Sequence, residues 1–247
     1  HLGVYLSSNL SWSRQIHETC LRANRKLSVL RRVKYLERHT LDVLYKITVR
    51  SIIDYGLLLY YNSCNAKECA KFDQIQYNAA KLVTSSLHYT SKIKLNQELG
   101  WESIQDRANS LGLCLFNKIL KGQTRPLVKT YMTEFNNNTT HDLRTIKPLK
   151  PFPFLGVNFS KSFYPYFTKM YNNLDRKTRN LPVDEFKNAV QKQFRPPRYK
   201  HFNTGSKLGC ALMTRIRLGR SYLNAHSYSI GLSPENTCKC NDRDQET

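Results

Sequence analysis

Residues 13–34 read SRQIHETCLRANRKLSVLRRVK, and this stretch decides the fold class of the chain. Its apolar residues recur at steps of three and four, which is the spacing of one helical face. These residues are Ile16, Cys20, Ala23, Leu27 and Leu30. The other faces carry arginine and lysine, with Glu18 as the only acid. The segment therefore predicts a strongly basic amphipathic helix with its apolar stripe against a core.

Further helices are predicted downstream of this stretch. Residues 41–61 are apolar on nearly every side, which predicts a central helix that Gly56 would weaken or bend. Residues 66–86 and 95–99 predict two more helices. The next helix ends at Gly122 and is expected to turn one set of residues inward: Ile104, Ala108, Leu111, Leu115 and Ile119.

The first residues have a different pattern. Leu2, Val4 and Leu6 alternate with other residues and precede a turn-prone Ser-Ser-Asn, which predicts a short N-terminal β-hairpin. A hairpin needs further partners to be stable in water, so we expect the chain to be a fragment of a longer protein.

The remaining sequence predicts a second, smaller, mostly helical region. Residues 123–165 are rich in asparagine, threonine and proline, which is typical of a linker. Residues 183–194 predict a short helix, and residues 207–227 a helix or helix pair interrupted at Gly219. We therefore expect a mainly α protein, divided into a hairpin at 1–12, a helical bundle at 13–122, a linker at 123–165 and a basic C-terminal region at 166–247.

The charge balance indicates the class of partner. The chain has 39 Lys and Arg against 18 Asp and Glu, a formal net charge of +21. Such an excess favours a nucleic acid, and after that an anionic membrane surface. No apolar run is long enough to predict a transmembrane segment.

The basic excess is concentrated between Glu185 and Glu235, where the sequence contains no acid. Aromatic residues lie among the basic ones there, as in grooves that bind single-stranded nucleic acid. The candidate nucleic-acid-binding residues of this interval are Arg198, Lys200, Lys207, Arg215, Arg217 and Arg220. The interleaved rings are Tyr199, Phe202 and Tyr222.

Motifs along most of the chain resemble one family. His1-Leu2-Gly3-Val4-Tyr5-Leu6 with Leu10-Ser11-Trp12 is similar to the end of the palm domain in non-LTR (LINE-type, jockey-like) retrotransposon reverse transcriptases. The likeness continues in the same order through Ala23-Asn24-Arg25-Lys26-Leu27, Val49-Arg50-Ser51-Ile52-Ile53-Asp54-Tyr55-Gly56, Glu98-Leu99-Gly100-Trp101 and Leu212-Met213-Thr214-Arg215-Ile216-Arg217-Leu218-Gly219-Arg220. Each motif is weakly specific alone, and their order is more so.

This resemblance implies a function and a set of site residues. Leu2, Gly3 and Val4 would belong to the primer grip, and the helices after them would form the thumb. The thumb residues expected to contact an RNA template and a DNA primer are Arg22, Arg25, Lys26, Arg31 and Arg32. The palm, fingers and endonuclease domains would lie outside this chain.

The resemblance also implies that the fragment is inactive alone. The parent polymerase uses Mg²⁺ held by carboxylates, and the Tyr-x-Asp-Asp box that supplies them lies upstream of His1 in the family. No residue of this chain is therefore predicted to be catalytic, and no cofactor is expected in it. Cys238 and Cys240 resemble the start of a C-terminal Cys/His region, but they supply only two of the four ligands of a structural Zn²⁺.

Two other function classes remain open at this point. One is a stand-alone basic RNA-binding module, and the less favoured one is a protein that lies on a membrane surface through its basic amphipathic helix. The seven scattered cysteines suggest reduced thiols and therefore an intracellular protein, in the cytoplasm, the nucleus or both. A targeting signal is not observable in this sequence.

Overall fold

The computed structural model describes residues 3–8, 11–87, 90–125, 149, 152–153, 156–196, 206–219, 224–229, 231 and 234. Helices dominate these residues, and no strand occurs among them, so the predicted mainly α class is confirmed. The α-helices are α1 Ser13–Arg32, α2 Arg38–Tyr45, α3 Ser51–Asp54, α4 Leu57–Tyr60, α5 Ala66–Thr84, α6 Lys92–Leu99, α7 Ile104–Leu120, α8 Val157–Ser160, α9 Phe163–Asn172, α10 Arg176–Asn180, α11 Val183–Phe194, α12 Lys207–Arg217 and α13 Asn224–Ser229.

The predicted N-terminal hairpin is wrong for the residues described there. Gly3 has a φ of +74°, in the left-handed region, and Leu6 is 56% exposed rather than half-buried. The backbone N–H of Tyr5 donates to the Gln15 side-chain oxygen at 2.9 Å. Because a residue of α1 takes this donor, the segment folds against the start of α1 instead of pairing as a strand.

The predicted long second helix is interrupted. It runs through α2, a π-helical turn at Lys46–Arg50 and α3, and the α-helical path then breaks before α4. Gly56 lies at this break with a φ of +73°, a left-handed conformation that ends a helix at little cost for glycine alone. The sequence therefore identified the weak point, and the structure shows a break there.

The chain forms two compact units, each built from separated segments. Unit one comprises His1–Arg22, Ile52–Asp73 and Glu102–Pro196, and unit two comprises Ala23–Ser51, Gln74–Trp101 and Pro197–Thr247. Helices α1 and α5 each contribute residues to both units. The units are therefore discontinuous, whereas the sequence was divided into consecutive regions.

The larger core cluster of unit one is formed mainly by α7, α9 and α11. Its buried members are Leu113, Phe116, Ile119, Leu149, Phe167, Tyr171, Phe186 and Val190. The rings of Phe116 and Tyr171 have centroids 5.6 Å apart. Aromatic packing thus holds the helices of this unit together.

The inward face of α7 differs from the predicted one. Leu115 is 37% exposed and Leu111 is only partly buried, while Leu113 and Phe116 are buried. The reason lies at Gly112, where an added Cβ would stand 1.9 Å from Cζ of Phe167. Because Phe167 packs directly on the α7 backbone at this glycine, the buried face is centred there.

This close approach predicts the effect of adding one methyl group. Gly112→Ala should lower the free energy of unfolding by about 1–3 kcal/mol, because buried Phe167 has no room to move, although alanine favours helix by about 1 kcal/mol. Urea unfolding measures the difference. The matched control is Gly209→Ala in α12, whose Cβ would lie 3.4 Å from the Ser206 hydroxyl oxygen. Equal stability of the two variants would contradict the packing described.

Unit two is organised around a buried aromatic pair. The rings of Tyr45 and Trp101 stack with centroids 4.3 Å apart, and the Trp101 indole N–H donates to Oδ1 of Asp42 at 2.8 Å. Trp101 follows Gly100, which ends α6 in the left-handed region with a φ of +62°. The turn after α6 therefore directs this indole into the core of unit two.

Candidate nucleic-acid interface

Helix α1 carries the predicted basic face. Its predicted apolar stripe is buried throughout, from Ile16 at 0% exposure to Cys20 at 8%. At 100° per residue, Arg25 and Arg32 project opposite this stripe, whereas Lys26 and Arg31 border it on either side. The stripe anchors the helix, which leaves its basic side chains in solvent.

All five basic residues predicted on α1 are exposed, namely Arg22, Arg25, Lys26, Arg31 and Arg32. Within the part of the chain that the structure describes, no carboxylate forms an ion pair with any of them. Nε of Arg22 lies 3.4 Å from the backbone carbonyl oxygen of Glu18, one turn earlier in the same helix. These charges are thus available to a polyanion.

A second basic feature lies in unit two, as an open groove of about 410 Å³. The described residues that line it are Lys34, Tyr35, Lys81, Leu82, Ser85 and Lys207. None of them is acidic. We call this feature the lysine groove.

The lysines of the groove differ in their surroundings. Burial, reinforced by the charge of Lys34, lowers the pKa of Lys207 below its usual value. The Lys81 ammonium lies 4.5 Å from the ring centroid of Tyr77, a cation–π distance. Two ammonium groups of the groove therefore repel each other, while the third is held by a ring.

Helix α12 brings Lys207 to the groove, and a buried ionic cluster holds this helix in unit two. Glu98, which is 4% exposed, accepts from Nη2 of Arg217 at 2.6 Å and from Nη1 of Arg38 at 3.2 Å. Arg38 also donates to the Thr214 hydroxyl at 3.1 Å. Burial lowers the pKa of Arg38, and the adjacent Glu98 carboxylate opposes that shift.

Two predicted nucleic-acid residues of α12 are engaged within unit two. Arg217 is paired with Glu98, and the Arg215 guanidinium donates to the backbone carbonyl of Ser85 at 2.9 Å. Both are therefore placed to hold α12 in unit two. Of the predicted basic residues that the structure describes on α12, Lys207 faces a groove.

Several predicted residues lie outside the described part of the chain. They are Leu2, Arg198, Lys200, Arg220, Cys238 and Cys240, with the rings Tyr199, Phe202 and Tyr222. Of the expected primer grip, Gly3 and Val4 are described and belong to no strand.

Metal chemistry finds no assembled donor set in the residues described. No group of three or more His, Cys, Asp or Glu side chains there is placed to hold an ion. Burial raises the pKa of Cys20 to about 11, and burial raises the pKa of Cys114 also. Both thiols are thus protonated at neutral pH, and the thiolate is the form that binds metals.

The sequence analysis missed Tyr35 and Lys81 as site residues. Tyr35 is 73% exposed and immediately follows Lys34 at the end of the basic stretch, which is a signal that sequence alone offers. Lys81 belongs to α5 and meets the end of α1 only through tertiary folding. Nothing in its sequence neighbourhood indicates that meeting.

Comparisons with protein families, with curated proteins and with solved structures find no match to this chain. Among the described residues, no helix has both the length and the apolar content needed to cross a membrane.

Proposed function

We propose that this chain binds the template–primer duplex of a reverse transcriptase of the non-LTR retrotransposon class, as its thumb, and does not itself polymerise. The observation that carries the proposal is the solvent-exposed basic face of α1, which has no ion-pairing carboxylate among the described residues. A chain with a net charge of +21 and such a face is suited to a polyanion.

The geometry of α1 supports phosphate contacts rather than base reading. Arg25 and Arg32 lie seven residues apart, or about 10 Å along the helix axis. Exposed, flexible cations in a row bind a charged backbone and carry little sequence information. The ordered resemblance to non-LTR reverse transcriptases adds the identity of the polyanion, an RNA template paired with a DNA primer.

The buried stripe weighs against the membrane alternative. A helix that lies on a bilayer must insert its apolar face among the lipids. In α1 that face packs inside the protein, with Leu27 at 1% exposure. A stand-alone RNA-binding module has the same interface, and the length of the natural reading frame distinguishes it from a polymerase part.

The catalytic metals of the parent enzyme belong to the proposed missing palm. Mg²⁺ there would activate the primer 3′ hydroxyl and stabilise the leaving group. The described residues of this chain do not fit such a site, because they lack a cluster of ligating side chains. The chain's contribution is therefore to hold the duplex.

Removing two charges from α1 tests the proposal. The Arg25→Ala/Lys26→Ala variant should bind an RNA–DNA hybrid of any sequence more weakly than the unaltered chain. Because each lost phosphate contact releases fewer counterions, the slope of log affinity against log salt should become shallower by about 2. Fluorescence anisotropy over a series of salt concentrations measures both effects.

The control for this variant is Arg176→Ala/Lys177→Ala in α10, an adjacent exposed pair with the same charge change. It should leave the slope nearly unchanged. If both double variants alter the slope equally, the binding is non-specific attraction to net charge and α1 is not the interface.

A further inference from the structure

An exposed aromatic ring lies among the cations of the lysine groove. Tyr35 is 73% exposed and stands beside Lys34, at the chain turn that follows α1. Leu82 and the lysine side chains complete the lining. A ring with a free face beside ammonium groups is the combination that binds a base together with its phosphate.

The charges of the groove are unbalanced. Lys34 and Lys207 are close enough for the first to depress the pKa of the second, and no described lining residue is a carboxylate. An anion between the two ammonium groups would relieve their repulsion. The groove therefore favours an occupant with a negative charge at this end.

The groove is held in place by contacts outside its lining. Arg215 and Arg217 fix α12 through Ser85 and Glu98, and this sets the position of Lys207. Tyr77 interacts with the Lys81 ammonium. A site whose cations are already positioned loses less conformational entropy when a ligand binds.

We infer that the lysine groove binds one unpaired nucleotide, with its base stacked on Tyr35 and its phosphate held by Lys34 and Lys207. This inference rests on the proposed function and adds a single-strand subsite to the duplex contacts of α1. A base within a duplex is already stacked on both faces, whereas an unpaired base can offer a face to Tyr35. The groove volume of about 410 Å³ is in the range of small-ligand sites.

The test uses the full chain and a fluorescein-labelled single-stranded oligouridylate of about 10 nucleotides. Tyr35→Ala should weaken its binding by roughly 5- to 100-fold, which is the loss of one base–aromatic stack. Tyr35→Phe keeps the ring and should bind like the unaltered chain. Because no charge is removed, the salt slope of Tyr35→Ala should stay the same, whereas Lys34→Ala/Lys207→Ala should make it shallower by about 2.

Two controls separate this subsite from the rest of the protein. Tyr55→Ala removes an exposed tyrosine of unit one, 52% exposed, and should leave oligouridylate binding unchanged. Tyr35→Ala should also leave the affinity for an RNA–DNA hybrid unchanged. The exposure of Tyr35 means that these variants fold, and circular dichroism checks this.

Each result supports or overturns the inference. If Tyr35→Ala binds oligouridylate as tightly as the unaltered chain, the subsite does not exist, even where the Arg25→Ala/Lys26→Ala variant confirms the duplex interface. If Tyr35→Ala instead weakens only the binding of phosphatidylserine vesicles, the groove is a lipid site and the inference is wrong. If the unaltered chain binds neither oligouridylate nor hybrid, the proposed function fails as well.

Discussion

Replacing Glu98 by alanine is expected to lower the free energy of unfolding by about 3–5 kcal/mol. The carboxylate is 4% exposed and accepts hydrogen bonds from two arginines, Arg38 and Arg217. Its removal leaves two guanidinium groups close together, of which Arg38 is itself buried, without their counter-charge. Urea denaturation followed by circular dichroism measures the loss.

Glu98→Gln separates charge from hydrogen bonding. The amide oxygen still accepts from the arginines but carries no charge, so its loss should be smaller than that of Glu98→Ala. The matched control is Glu37→Ala, an exposed glutamate at the start of α2 whose side chain makes no capping hydrogen bond. A Glu98→Ala chain as stable as the Glu37→Ala chain would show that the cluster contributes nothing.

The same substitution has a consequence for binding. Because Arg217 holds α12, which carries Lys207, losing Glu98 should disturb the lysine groove. Oligouridylate binding by Glu98→Ala should weaken, whereas binding of the hybrid to α1 should not.

Arg107→Ala is expected to lower the free energy of unfolding by about 3 kcal/mol, near the lower end for a buried pair because Arg107 is partly exposed. Its Nε donates to Asp54 at 2.7 Å and its Nη1 to Glu102 at 2.7 Å. Glu102 is buried, and its other charged partner, Arg195, is more distant at 3.6 Å and half-exposed. Without Arg107, a buried carboxylate loses its closest counter-charge.

Arg107→Lys tests whether geometry matters beyond charge. A single ammonium group cannot reproduce the two-sided contacts of the planar guanidinium, so most of the loss should remain. Arg176→Ala in α10 is the control, since that arginine is exposed. Thermal and urea unfolding both report the comparison, and a loss no larger than that of the control would rule out a structural role for the Asp54–Arg107–Glu102 network.

Periodicity alone predicted much of the helical structure. The stripe of α1 is buried as expected, and the helix predicted at 183–194 is observed as Val183–Phe194. The helix predicted at 66–86 is observed as Ala66–Thr84. These helices were predictable because an amphipathic pattern and its breakers are properties of neighbouring residues.

The failures occurred where a distant residue decides the local outcome. The N-terminal strand was predicted from alternation, but Gln15 takes the Tyr5 amide. The face of α7 shifted because Phe167 packs on Gly112, more than fifty residues earlier in the chain. Neither contact has a signal in the sequence near the residues it changes.

The candidate site divides in the same way. The sequence by itself determined the net charge and the exposed basic face of α1, because the apolar stripe of that helix fixes which side is solvated. Only the tertiary structure decided that Arg217 pairs with buried Glu98, and that Lys34, Lys81 and Lys207 from three separate segments line one groove beside Tyr35. The physical reason is that helical periodicity specifies which side of a helix is buried, whereas the identity of the partner on that side depends on how distant segments pack.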